Sequence, residues 1–172
     1  PGASGSMPYG FVGLSNTALF VAYTTNWGSE LWKSDGTSNG TVLVKDLLPG
    51  SDSGYPQGMT EMAARVFFSA NDGVAGGELW ASDGTSNGTV LVKDILPGAA
   101  DSQISGLTAV SGKLFFAATD GIRGIELWQS DGTSNGTVLA RDIWAGAASS
   151  MPQGLLALSG GVLFSASDAA HG

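Results

Sequence analysis

The chain of 172 residues has no cysteine, so disulfides, thiolate metal ligands and a thiol nucleophile are all excluded. It has one histidine, His171, the penultimate residue and part of an incomplete repeat, so no complete Ser-His-Asp arrangement can be assumed. Charge is sparse and of one dominant sign: seven Lys and Arg against 15 Asp and Glu give a net charge of -8. That balance opposes nucleic acid and anionic lipid, where affinity comes from Lys and Arg. No uninterrupted apolar run reaches the roughly 18 residues of a membrane span, and no charged, apolar, small-residue leader opens the chain. Membrane insertion is therefore not expected. The P-loop and dinucleotide patterns fail as well, because the glycines precede no helical segment. No residue is expected to be catalytic.

What the chain does have is periodicity. The string SDGTSNGTVL occurs at Ser34 to Leu43, Ser82 to Leu91 and Ser130 to Leu139, spaced by 48 residues. Glu30, Leu31 and Trp32 recur as Glu78, Leu79, Trp80 and Glu126, Leu127, Trp128. Pro1-Gly2 maps onto Pro49-Gly50 and Pro97-Gly98 and lapses at Ala145-Gly146. The expected units are 1–48, 49–96, 97–144 and a partial 145–172, the last ending where Gly124 stands one period earlier. A window cut from a longer array is the expectation.

Each unit reads as two hairpins. In the third, a short apolar stretch at Gly106 to Val110, a Ser111-Gly112 turn and the β-rich run KLFFAAT form the first. Glu126 to Ser130, a loop from Asp131 to Gly136 and Thr137 to Ile143 form the second. Helical spacing fits none of these segments, and the 27 glycines fall mostly between them, where they suit turns. Adjacent apolar residues such as Val42-Leu43-Val44 and Leu114-Phe115-Phe116 imply sheets covered on both faces. The predicted fold is all-β: tandem four-stranded antiparallel blades, propeller-like. The rival geometry is a linear or superhelical stack of the same units.

With a six-residue loop from Asp35 to Gly40, Ser34 faces Thr41, Trp32 faces Leu43 and Glu30 faces Lys45. The same counting pairs Glu78 with Lys93 and Glu126 with Arg141, so an opposite-charge cross-strand pair is expected in each copy.

At ELW followed by SDGT, GT and VKD, carried by Glu30 to Asp46, Glu78 to Asp94 and Glu126 to Asp142, the chain resembles the ELWxxDGT repeat family. The resemblance spans essentially the whole chain and implies large secreted or surface proteins, mostly bacterial, without implying an activity. The chain departs from its own pattern at Ala140 and at Thr24-Thr25, where other copies carry Asp72-Gly73 and Asp120-Gly121.

The repeated motif residues, Glu30, Trp32, Asp35, Lys45 and their equivalents Glu78, Trp80, Asp83, Lys93 and Glu126, Trp128, Asp131, Arg141, are expected to be structural. A buried indole contributes more through packing than an exposed one gains by stacking on a sugar. Trp27 and Trp144, which the other copies lack, are the better candidates for exposed aromatics, with a variable core position the stronger reading for Trp144. The loop DGTSNG offers oxygens at Asp35, Thr37, Asn39, at Asp83, Thr85, Asn87 and at Asp131, Thr133, Asn135. A plain turn with several positive-φ Gly and Asn positions is the first reading, and weak calcium binding the second, since one carboxylate falls short of the usual calcium shell. Asn39, Asn87 and Asn135 each open an Asn-Gly-Thr sequon, so periodic N-glycans are a further expectation.

These observations point to a non-catalytic extracellular or cell-surface module, acting as scaffold, spacer or adhesive element and needing no cofactor. Its partners would be neighbouring repeats or other copies of the chain. The alternative is a propeller lectin or calcium-dependent glycan binder using the loops at one end of the blades.

Overall fold

A computed structural model describes residues 5–171; the Pro1-Gly2 element of the repeat and Gly172 lie outside the described residues. Among those residues there is no helix, and hence none long and apolar enough to cross a membrane. The first sheet holds β1 (Tyr9–Leu14), β2 (Thr17–Thr24), β3 (Gly28–Ser34) and β4 (Val42–Lys45), in that spatial order and antiparallel throughout. The second repeats it with β5 (Gln57–Met62), β6 (Arg65–Asn71), β7 (Gly77–Ser82) and β8 (Val90–Lys93). The third has β9 (Ser105–Val110), β10 (Lys113–Thr119), β11 (Ile125–Ser130) and β12 (Val138–Arg141). A last hairpin pairs β13 (Gln153–Leu158) with β14 (Gly161–Ser165).

Two-residue loops close the first hairpin of each unit. Such loops favour left-handed backbone because its twist matches that of the strands. Ser111 and Gly112 comply, with φ of 49° and 75°, and so do Ala63 and Ala64, with φ of 53° and 58°. The alanines adopt this conformation against the steric preference of their Cβ atoms.

The core lies between sheets. Leu14, Leu19, Leu31, Val44 and Leu47 of the first unit meet Val66, Phe68, Ala70 and Trp80 of the second. The next interface uses the same places: Met62, Phe67, Leu79, Val92 and Ile95 against Leu114, Phe116, Ala118 and Trp128. Alternate residues of one strand therefore serve opposite neighbours, Phe67 forward and Phe68 backward, which is why apolar residues stand side by side in the sequence. The first strands of successive sheets lie against one another, β1 on β5, β5 on β9 and β9 on β13, while the fourth strands make no comparable contact.

The second hairpin corrects the expected register. Trp32 does lie opposite Leu43, and the hydroxyls of Ser34 and Thr41 are 2.7 Å apart. The register then slips between Leu31 and Trp32, so that Lys45 stands opposite Leu31 rather than Glu30. Lys93 likewise faces Leu79, and Arg141 faces Leu127. The expected pairs Glu30–Lys45, Glu78–Lys93 and Glu126–Arg141 are thus absent: the one-residue bulge in the fourth strand shifts the basic residue away from its acid.

Candidate functional site: the clamps and loops between repeats

Glu30, Glu78 and Glu126 are fully buried and hold the connection from one sheet to the next. Glu30 accepts hydrogen bonds from the N–H of Leu47 at 2.8 Å and of Gly54 at 2.5 Å. The first donor follows its own fourth strand; the second precedes the first strand of the next sheet. Glu78 accepts from the N–H of Ile95 and of Leu96. Glu126 accepts from the N–H of Ile143 at 2.8 Å and of Ser150 at 2.9 Å, and the Ser150 hydroxyl donates to it at 2.6 Å. Each acid thereby satisfies backbone donors of a crossover that has no strand partner.

Burial pushes the carboxyls of Glu30 and Glu78 up to about 7, and the nearby charges of Asp46 and Asp94 add to the rise against the pull of the backbone N–H groups. One carboxylate oxygen each of Asp46, Asp94 and Asp142 is buried with no hydrogen-bond partner among the described residues.

The basic residues that miss the glutamates reach across to the next repeat. Lys45 donates from Nζ to the carbonyl of Thr89 at 2.9 Å and lies 5.9 Å from the centroid of the Trp80 ring. Lys93 donates to the carbonyl of Ser134 at 3.3 Å. Arg141 is exposed. Trp80 and Trp128 are buried between sheets, whereas Trp32 is half-buried and lies against Trp27 with ring centroids 6.1 Å apart. Trp27 is partly exposed, and Trp144 is half-buried.

The three DGTSNG loops are superposable in their bonding. Asp35 Oδ1 accepts from the Thr37 N–H at 2.9 Å and the Thr37 hydroxyl at 2.7 Å. Thr37 Oγ1 in turn accepts from the Gly40 N–H at 2.9 Å. Asp83 with Thr85 and Asp131 with Thr133 repeat the pattern. The threonine hydroxyl, followed by its N–H, holds the carboxyls of Asp35, Asp83 and Asp131 below the usual range. One oxygen of every proposed calcium-ligating aspartate is therefore already engaged by its own loop. Among the described residues no three His, Asp or Glu side chains gather as a metal would require.

The expectation of positive φ at several Gly and Asn positions is corrected too. Gly36 has φ of 90°, but Asn39 and Gly40 have no positive φ. Gly40, Gly88 and Gly136 are needed for space, because a Cβ there would collide with the carboxylate of Asp35, Asp83 or Asp131. Asn39, Asn87 and Asn135 are all exposed. The sequon threonines Thr89 and Thr137 are fully buried and bonded to Ser82 and Ser130.

The departure at Thr24 is compensated. Asp72 Oδ1 accepts from the N–H of Val74 and Ala75, and Asp120 Oδ1 does the same for Ile122 and Arg123. In the first unit the Thr24 hydroxyl accepts from the Trp27 N–H at 3.2 Å. His171 belongs to the matching surface turn, with Nδ1 at 3.0 Å from Asp168 Oδ1.

One recurrent feature is missed by sequence reasoning. Met7, Tyr55, Gln103 and Met151, spaced by one period, are all left-handed, with φ of 40°, 47°, 56° and 47°, and all are exposed. A non-glycine residue in this region carries strain that the surrounding structure must sustain. The only hint in the sequence is the proline after three of them: Pro8, Pro56 and Pro152. Comparison with models of protein families finds none that matches this chain, and no curated protein matches it significantly.

Proposed function

We propose that the chain is a non-catalytic extracellular or cell-surface repeat module of the ELWxxDGT type, serving as a scaffold or spacer. One observation carries this reading: many of the repeated residues are spent on joining one unit to the next. The glutamates clamp the crossovers, Lys45 and Lys93 bond the following loop, and Trp80 and Trp128 fill the interfaces. A motif consumed in this way propagates an array and leaves its constant side chains little freedom for chemistry. First strands that meet while fourth strands make no comparable contact support a propeller-like fan over a linear stack.

The test is to treat intact producing cells with a membrane-impermeant biotinylating reagent and to probe the culture medium in parallel. Labelled or released protein supports the proposal. Protein protected until lysis overturns it.

A further inference from the structure

Each link between repeats is held by a buried glutamate, and one link differs from the others in a cleft. Between the second sheet and the link that leads on to the third lies a cavity of about 260 Å³ lined by Tyr55, Gln57, Ser69, Asn71, Asp101 and Gln103, with Gly54 and Gly77 in its wall. It opens beside the start of β5, next to the strained positions Tyr55 and Gln103.

Its polarity is a local departure from the repeat. One period earlier, Ser69 and Asn71 are replaced by Val21 and Tyr23, and Gln57 by Tyr9. One period later, the same two places hold Ala117 and Thr119, and Met151 stands where Gln103 does. Asp101 is serine in both other links, as Ser53 and Ser149. Those serines accept the N–H of Ser29 and of Ile125 at 2.9 Å. Asp101 does the same work with one oxygen, accepting the Gly77 N–H at 2.6 Å. A serine thus suffices for the fold, and the aspartate brings a second oxygen that has no partner among the described residues. Asn71 similarly uses its carbonyl oxygen on the Gly73 N–H at 2.7 Å, which leaves its amide nitrogen to donate elsewhere.

The set is complementary to a polyol. Carboxylate and amide oxygens accept from adjacent hydroxyls, amide nitrogens donate to them, and the exposed Tyr55 ring offers an apolar face to the C–H side of a pyranose. The volume lies just below the range of cavities that enclose drug-sized ligands, a scale that suits one sugar ring. We propose that this cleft binds a neutral saccharide through Asp101, Asn71, Gln103 and Tyr55. The Asp101 charge disfavours uronic and sialic acids. This inference goes beyond the scaffold role and does not depend on it, because it uses positions that differ between repeats.

The experiment is saturation-transfer NMR on the whole chain with the methyl glycosides of glucose, galactose, mannose and N-acetylglucosamine, and with glucuronate, combined with ¹H-¹⁵N mapping. The expected result is transfer to at least one neutral glycoside, shifts centred on Tyr55, Asn71, Asp101 and Gln103, and weaker transfer to glucuronate. Asp101→Asn, which keeps an oxygen for the Gly77 N–H, and Gln103→Ala should each weaken binding about fivefold or more. Met151→Ala, at the equivalent position one link on, should leave it unchanged. Unaltered thermal unfolding of the variants identifies any loss as local. No transfer to any neutral glycoside, or binding indifferent to both cleft substitutions, overturns the proposal. Neither result bears on cell-surface location, so the two readings fail separately.

Discussion

Lys33 donates from its ammonium to the carbonyl of Gly84, 2.8 Å away in the loop of the next repeat. One period on, position 33 has become Ala81, yet the corresponding carbonyl, that of Gly132, is still bonded, now by Arg65 at 3.4 Å. Arg65 itself stands where the first unit has Thr17. The same acceptor is thus served from two different strands in successive links.

Lys33→Ala should therefore destabilise the chain by about 1 kcal/mol, the usual net worth of one part-buried hydrogen bond. Thr17→Arg in that background should recover part of the loss by restoring the donor from the other strand. Urea unfolding of the single and double variants checks both statements, and an equal loss in the two would refute the exchange.

Stability should depend on pH through the glutamate clamps. In the unfolded chain Glu30 and Glu78 titrate near 4.5, and in the fold they titrate at about 7, so the folded state holds their protons more tightly. The resulting stabilisation is complete below about pH 4.5 and is lost as pH rises through about 7. It amounts to at most about 3 kcal/mol for each group. The loop aspartates Asp83 and Asp131, held below the usual range, act in the opposite sense, and their contribution disappears as the solution becomes strongly acidic. Thermal unfolding between pH 3 and 9 should show its maximum on the acid side of neutrality. Glu78→Gln should flatten roughly half of the decline between about pH 5 and 7.

The Ala63-Ala64 turn offers a stabilising change. Both residues are left-handed, a conformation that costs an L-residue with a Cβ about 1 to 2 kcal/mol. The third unit has glycine, Gly112, at the place of Ala64. Ala64→Gly should raise stability by about 0.5 to 1 kcal/mol after the larger entropy of an unfolded glycine is counted. A lower midpoint of thermal unfolding in this variant would contradict the argument.

Gly88 has no positive φ, yet a Cβ at that position meets the Asp83 carboxylate. Gly88→Ala should accordingly cost about 1 to 3 kcal/mol, the range for overpacking. Asp83→Ala removes the obstacle, so the double variant should be clearly more stable than the sum of the single losses implies. A double-mutant cycle in urea that proves additive would place the cause elsewhere.

Much of the fold was legible because each strand carries two apolar faces and each hairpin has its own turn signals. Phe67-Phe68 states both neighbours of a sheet in two adjacent letters. The Glu30–Lys45 pairing misled because a bulge leaves no mark in composition, and because Lys45 acts on Thr89, in the next unit. The role of Gly40 was hidden for a related reason: glycine looks the same whether its backbone or its lack of a side chain is needed. The cleft was written in the sequence as differences among repeats, Asn71 against Tyr23 and Thr119, which an eye fixed on the invariant motif passes over.

The left-handed residues Met7, Tyr55, Gln103 and Met151 share one backbone pose while their identities vary. Whatever side chain is installed there is offered to the surroundings from the same perch, and neither interface between sheets relies on it. An array built on this plan can change what it presents, one unit at a time, without renegotiating how it is held together.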